Sequence, residues 1–155
     1  MTSSLKSIVR GLLLIPVLMM AGAASPADTG ADASAFFLKF MAAQNAHDIP
    51  AVRSMLWDAP GMLWYTRGSE LRGADAVAEK LRDYYQGTWH LEPDMTHFEA
   101  TAMTGDVVQI LVPILFTRGP AGGAPQENRF LISQTFVRVA AIGRSPRSFR
   151  SPTRS

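Results

Sequence analysis

His90, Glu92 and Asp94 stand on alternate positions of the 155-residue chain and raise the first chemical question, that of a metal ion. Imidazole and carboxylate are ligands for zinc and for harder divalent cations. On a strand, however, alternate residues rise about 6.6 Å apart, so three span about 13 Å, far beyond the reach of one ion with bonds of about 2 Å. The spacing fits a solvated strand face, and no metal or other cofactor is expected. His97 reads differently. If the alternation continues past Pro93, His97 shares a face with Leu91 and Met95 and points inward. An imidazole there is either a buried, hydrogen-bonded group or a general base, which makes His97 the one candidate catalytic residue.

Trp64, Tyr85 and Trp89 fall near the ends of expected elements. Large amphipathic rings in such places line apolar ligand pockets or simply fill a core, with the N–H or O–H finding a partner in either case. Arg67, at a strand end, would hold an anionic group or a surface ion pair. Gln134 lies on an apolar stripe with Phe130, Ile132 and Phe136, so its amide must be satisfied by a ligand, a water or a neighbour. Trp64, Arg67, Tyr85, Trp89, His97 and Gln134 form the candidate pocket. His47-Asp48 resembles a dyad, but Asp48 precedes Ile49-Pro50 and is better explained as a helix cap, and Asp58 beside Pro60 as turn chemistry. Between Val107 and Val139 the sole acid is Glu127, so no acid/base pair can be nominated. No Gly-rich phosphate loop, nucleophile elbow or Cys/His metal spacing occurs.

Composition narrows the class. Hydrophobic residues make up 47% and charged residues 18%, which suits a folded domain with a modest core, and there is no cysteine to staple it. The calculated pI of 9.3 suggests nucleic acid or a membrane surface, but the charge is concentrated at the ends. Lys6, Arg10, Arg144, Arg147, Arg150 and Arg154 are six of the fifteen basic residues, and no acid lies near them. The remainder sets nine bases against thirteen acids, a net of −4 with no footprint for phosphate backbones. Nucleic-acid binding is excluded on that ground.

Residues 1–27 have the three parts of a cleavable signal peptide: Lys6 and Arg10, an apolar run from Gly11 to Met20, and the small residues Ala21 to Ala24. Extended through Ala24, the apolar stretch is about 14 residues, interrupted by Pro16, and is shorter than the ~20 that cross a bilayer. The mature protein is expected to be exported, periplasmic in a Gram-negative host and otherwise secreted, with no stable membrane anchor. Residues 28–33 read as a linker. A helix with Phe36, Phe37, Phe40, Met41 and Ala43 at helical spacing follows, then a short helix after Asp48, and a strand over 62–67. A third helix runs from Gly73 to Gly87, and a long strand over 89–103 bends near Pro93. Strands over 107–117 and 127–139 complete an α-α-β-α-β-β-β order.

Those elements, with Asn45-Ala-His-Asp48 ending the first helix, Trp64-Tyr-Thr-Arg-Gly68 in the first strand and Tyr84-Tyr-Gln-Gly-Thr-Trp89 closing the third helix, resemble the nuclear-transport-factor-2-like superfamily and its SnoaL-like proteins. The resemblance covers residues 34–139 and rests on element order. It implies an α+β, cone-shaped domain: a strongly curved antiparallel sheet packed on three N-terminal helices, with a pocket at the wide end and often a homodimer across the outer sheet face. Ketosteroid isomerase, scytalone dehydratase, limonene epoxide hydrolase and polyketide cyclases share it, as do many members that only bind, so the fold does not decide the function.

Such domains close the sheet with a last strand that often carries a Trp, and residues 140–155 offer none. They are basic and Ser/Pro-rich, the composition of a disordered tail. Their codon types read one base earlier permit Gly-Gly-Asp-Trp-x-Ile-Ala-Ser-Ile-Leu, a turn followed by the missing strand, so the last strand is expected to be absent or out of frame. The resulting expectation is an exported domain binding a small apolar or aromatic ligand. The alternatives are a cofactor-free lyase, isomerase or cyclase using His97 and a Tyr, and a structural dimerisation module with a filled cone.

Overall fold

The computed structural model describes residues 26–66, 68–139 and 148–150, with the side chains of 29–66 and 68–139. Residues 1–25 of the expected signal peptide, Arg67, and residues 140–147 and 151–155 of the expected tail lie outside the described residues.

Helix α1 spans Pro26–Asn45 and buries Ala33, Phe37, Phe40, Met41 and Gln44, a stripe at three- and four-residue spacing. The linker expected at 28–33 is thus the helix's opening turns. A mid-helix glycine costs roughly 1 kcal/mol, but Gly30 sits beside Ala100 and Ala33 is fully buried, so packing outweighs propensity. The helix ends in a Schellman motif: the Asp48 N–H donates to the Ala43 carbonyl and the His47 N–H to that of Gln44, both at 3.0 Å. His47 takes the left-handed position usually given to glycine, with φ 55°. The Asp48 carboxylate then accepts from the Ala51 N–H at 2.9 Å and caps α2 (Ile49–Met55), as its place before Pro50 predicts.

Strands β1 (Leu63–Thr66) and β2 (Ser69–Arg72) form a hairpin through Gly68, whose φ of 81° suits only glycine. The polar Ser-Glu-Leu-Arg strand is absent from the expected element order. Helix α3 (Ala74–Tyr84) turns Val77, Ala78 and Leu81 inward. The long strand expected over 89–103 is two strands, β3 (Thr88–Pro93) and β4 (Glu99–Thr104), divided by a 3₁₀ turn over Met95–His97. They lie end to end along one edge of β5 (Val107–Gly119), β3 against Ile114–Gly119 and β4 against Val107–Leu111. Pro113 faces the gap between them, where no ladder hydrogen bond needs its missing N–H.

β6 (Gln126–Val139) covers the other edge of β5 in an unbroken antiparallel register. The tail corrects the expectation of a missing last strand: three residues, β7 (Ser148–Arg150), pair with Val137–Val139. Main-chain pairing at a free strand edge tolerates almost any side chain, so a basic, Ser-rich segment can supply it. The fold is α+β, with helices against one face of an antiparallel sheet. Val108, Ile110, Val112, Ile114 and Phe116 point from β5 to the helices, and Phe136 from β6 meets Phe36 edge-on at 4.9 Å.

Helix and sheet are joined at Asn45. Its side-chain amide donates to the Leu91 carbonyl at 2.9 Å and its oxygen accepts from the Leu91 N–H at 2.8 Å, extending the β3 edge by one side chain. Replacing Asn45 by Ala strands both main-chain groups, so Asn45→Ala should cost about 1–3 kcal/mol. Urea unfolding followed by circular dichroism should show a lower midpoint with an unchanged slope.

Candidate functional site

Between α1 and the wide end of the sheet lies a cavity of ≈ 260 Å³. Met41 and Gln44 form its floor from α1, one and two turns beyond Phe37. Trp64 and Thr66 come from β1, Tyr84 from the end of α3, and Trp89 and Leu91 from β3. The sheet contributes Ile114, Phe116 and Arg118 from β5 and Phe130, Leu131, Ile132 and Gln134 from β6. Exposure along β6 marks depth: Gln134 is 3% exposed, Ile132 half-buried and Phe130 43% exposed, so Gln134 is deep and Phe130 lies near the opening.

Trp89 organises the wall. Tyr84 stacks on it at 5.5 Å, while Tyr85 and Phe116 meet it edge-on at 5.6 and 4.6 Å. Offset and edge contacts of this kind add roughly 0.5–1.5 kcal/mol each beyond the area they bury. Tyr85 is itself held from behind by His47, stacked at 4.5 Å, whose Nε2 lies 3.2 Å from the Trp89 carbonyl. This contact accounts for a histidine at the left-handed end of α1. Burial pushes the Tyr85 phenol well above its ordinary value, which keeps it a hydrogen-bond donor.

Gln134 Oε1, Trp89 Nε1 and Tyr85 Oη are buried polar atoms of this region with no hydrogen-bond partner among the described residues. Each such atom costs about 1–3 kcal/mol relative to a satisfied one. Gln134 Oε1, an acceptor, and Trp89 Nε1, a donor, belong to cavity-lining residues.

The structure therefore brings together Trp64, Trp89 and Gln134 of the candidate pocket, with Tyr85 in the layer behind. His97 does not join them. Asp94, expected to continue the strand, accepts from the Thr96 N–H and the Thr96 hydroxyl at 3.1 and 2.6 Å and caps the 3₁₀ turn. The strand's phase is lost there, and His97 is exposed, with Nδ1 2.7 Å from Asp94 Oδ2. Hydrogen bonds from Thr96 and then His97 hold the Asp94 carboxyl below its usual range, as expected of an exposed cap. His90 and Glu92 point outward, 3.4 Å apart. Among the described residues no imidazole or carboxylate lines the cavity. Gln44 and Arg118 escaped the sequence reading, although both carry a signal. Gln44 continues the 37–40–41 stripe of α1, and Arg118 has the inward parity of Val108 through Phe116.

No protein-family model matches the chain, and no curated protein matches it. Solved structures do. An NTF2-like superfamily protein from Salmonella enterica serovar Typhimurium superposes with a TM-score of 0.69 at 12% identity, over 82% of this chain and 88% of that one. Aln2 from a Streptomyces species gives 0.62 at 18%, over 83% and 89%. A ketosteroid isomerase-like protein from Erwinia carotovora atroseptica gives 0.63 at 17%, over 79% and 89%. The chain has the nuclear-transport-factor-2-like fold.

Gln134→Leu removes an unsatisfied buried amide at nearly constant volume, and should raise the unfolding free energy by about 1 kcal/mol. Thermal denaturation of the ligand-free variant measures this, and a loss of stability instead would mean that Gln134 is already satisfied.

Proposed function

We propose that this domain binds a small, largely aromatic ligand in the cavity beneath β5 and β6, as an exported SnoaL-like binding protein. The observation that carries the reading is the pairing of an aromatic, otherwise apolar wall with two buried, unpartnered polar atoms of opposite sense. Specific small-molecule sites have that composition: area for affinity and a few placed polar groups for orientation. A ligand with a hydrogen-bond donor near Gln134 Oε1 and an acceptor near Trp89 Nε1 would offset both desolvation costs on binding.

With His97 on the surface, the acid–base alternative lacks its base, and binding is the simpler use of the site. Export rests on the pattern of residues 1–27, and radiolabelled or tagged full-length protein in a Gram-negative host should fractionate with the periplasm. A homodimer fits the outer face of the sheet, where Leu111 and Leu131 are exposed beside the Gln109–Ser133–Thr135 hydrogen bonds. Apolar side chains scattered on one sheet face are a weak signal alone, so light scattering of wild type against Leu111→Asp decides whether that face is an interface.

Thermal-shift screening against aromatic, steroid-like and polyketide-like compounds tests the binding reading. A compound at a hundred times its Kd stabilises the fold by about 2.7 kcal/mol. The same compound should quench Trp64 and Trp89 fluorescence. Filling the cavity with Ile132→Trp should abolish both effects in a protein that still unfolds cooperatively. If no compound shifts the midpoint, or if the filled variant responds like wild type, the cavity is not the site.

A further inference from the structure

A second hollow adjoins the first. It measures ≈ 560 Å³ and runs along the segment between β5 and β6, lined by Gln86, Thr88, Gln126, Gly119 and Pro120 among others. Its floor is a close approach of two chain segments: a Cβ at Gly87 would run into the Gly119 carbonyl oxygen, so the end of α3 and the β5–β6 loop meet through glycine. Tyr84, Trp89 and Arg118 line both hollows and form the passage between them.

Arg118 is the only cationic residue among the described lining of either hollow. It is half-buried, with its guanidinium carbon 5.7 Å from the Phe116 ring centre and 6.0 Å from that of Phe130. Rings beside a guanidinium face fix its plane, and the N–H edge of a guanidinium matches a planar anion in shape and charge. Low local polarity also strengthens any charge-assisted hydrogen bond it makes.

We infer that Arg118 is a specificity-determining residue and that the natural ligand is an amphipathic anion. Its aromatic body occupies the inner cavity, and a carboxylate or sulfonate-like group is seated at Arg118 in the passage to the outer hollow. This rests on the binding reading above and extends it to the ligand's charge. The inner cavity provides the site for rings, and the passage sorts anionic from neutral compounds of equal shape.

Two naphthalene probes that differ in a single sulfonate test this. N-phenyl-1-naphthylamine is neutral and 8-anilino-1-naphthalenesulfonate is anionic, and both fluoresce on entering an apolar site. Titrated into the wild-type protein at low salt, both should bind, the anion about tenfold more tightly, as one charge-assisted contact supplies. Arg118→Gln should bring the ratio of the two Kd values to about one, and 0.5 M salt should reduce the preference in wild type. Ile132→Trp should abolish binding of both probes, which places them in the cavity. Equal affinity of the two probes, or an anion preference that survives Arg118→Gln, overturns the inference while the cavity remains a binding site. Failure of both probes, or their indifference to Ile132→Trp, overturns the inference and the binding reading together.

Discussion

The pair of hydrogen bonds between the Asn45 side chain and the main chain of Leu91 ties the end of α1 to the outer edge of β3, beside the hollow that the helices and sheet enclose. β3 has β5 on one side only, and an edge strand left to water could twist away from the helices. Asn45 satisfies that edge from the end of α1 and fixes how far helix and strand stand apart. Trp89 lies two residues from Leu91 on the same face, so the same joint aims the indole into the cavity and sets the wall that Tyr84, Tyr85 and Phe116 build around it. His47 follows Asn45 by two residues and supports Tyr85 from behind. One helix terminus thus ends a helix, seals a strand edge and positions an aromatic wall.

The two faces of β5 and β6 carry different work. Outward, Gln109 bonds to both Ser133 and Thr135 at 2.7 Å, a polar network that pins the register without reaching the core. Inward, from Val108 to Phe116 on β5 and from Phe130 to Phe136 on β6, alternate residues are apolar except at Gln134. A one-residue slip would exchange the two faces, so the polar ladder outside protects the polar exception inside. The cost of Gln134 is local and falls on the unliganded protein, whereas any benefit appears only when its oxygen meets a donor.

How much of this was legible depended on whether the signal was periodic or tertiary. The alternation of β5 and β6, the Gly73 helix, the Asp48 cap and the inward place of Gln134 all follow from spacing. Trp64 and Trp89 stood out as large rings near element ends, but spacing alone left open whether they line a pocket or fill a core. Past Pro93 the period-two argument failed because Asp94-Met-Thr96 is a capping sequence: a carboxylate two residues before a threonine N–H starts a tight turn more readily than it extends a strand. That turn carried His97 to the surface. The opening of α1 was hidden because Gly30 and small residues read as a linker until the sheet is there to bury Ala33. β2 was hidden because a four-residue polar hairpin partner has no apolar period at all.

A hollow of this size carries an energetic consequence. At about 24 cal/mol per Å³, a dry hollow of ≈ 260 Å³ would cost on the order of 6 kcal/mol. That is comparable with the entire stability of a small domain. The exposed rim at Phe130 admits water, which lowers the cost but does not remove it, because water against Trp89, Phe116 and Ile132 finds few partners. The fold could lose this hollow through larger side chains at Ile132 or Thr66, yet it instead surrounds it with rings braced from several sides. For a domain without cysteine, held by packing alone, the binding reading then ties stability to occupancy: a ligand that reached Gln134 would strengthen the whole protein as it bound.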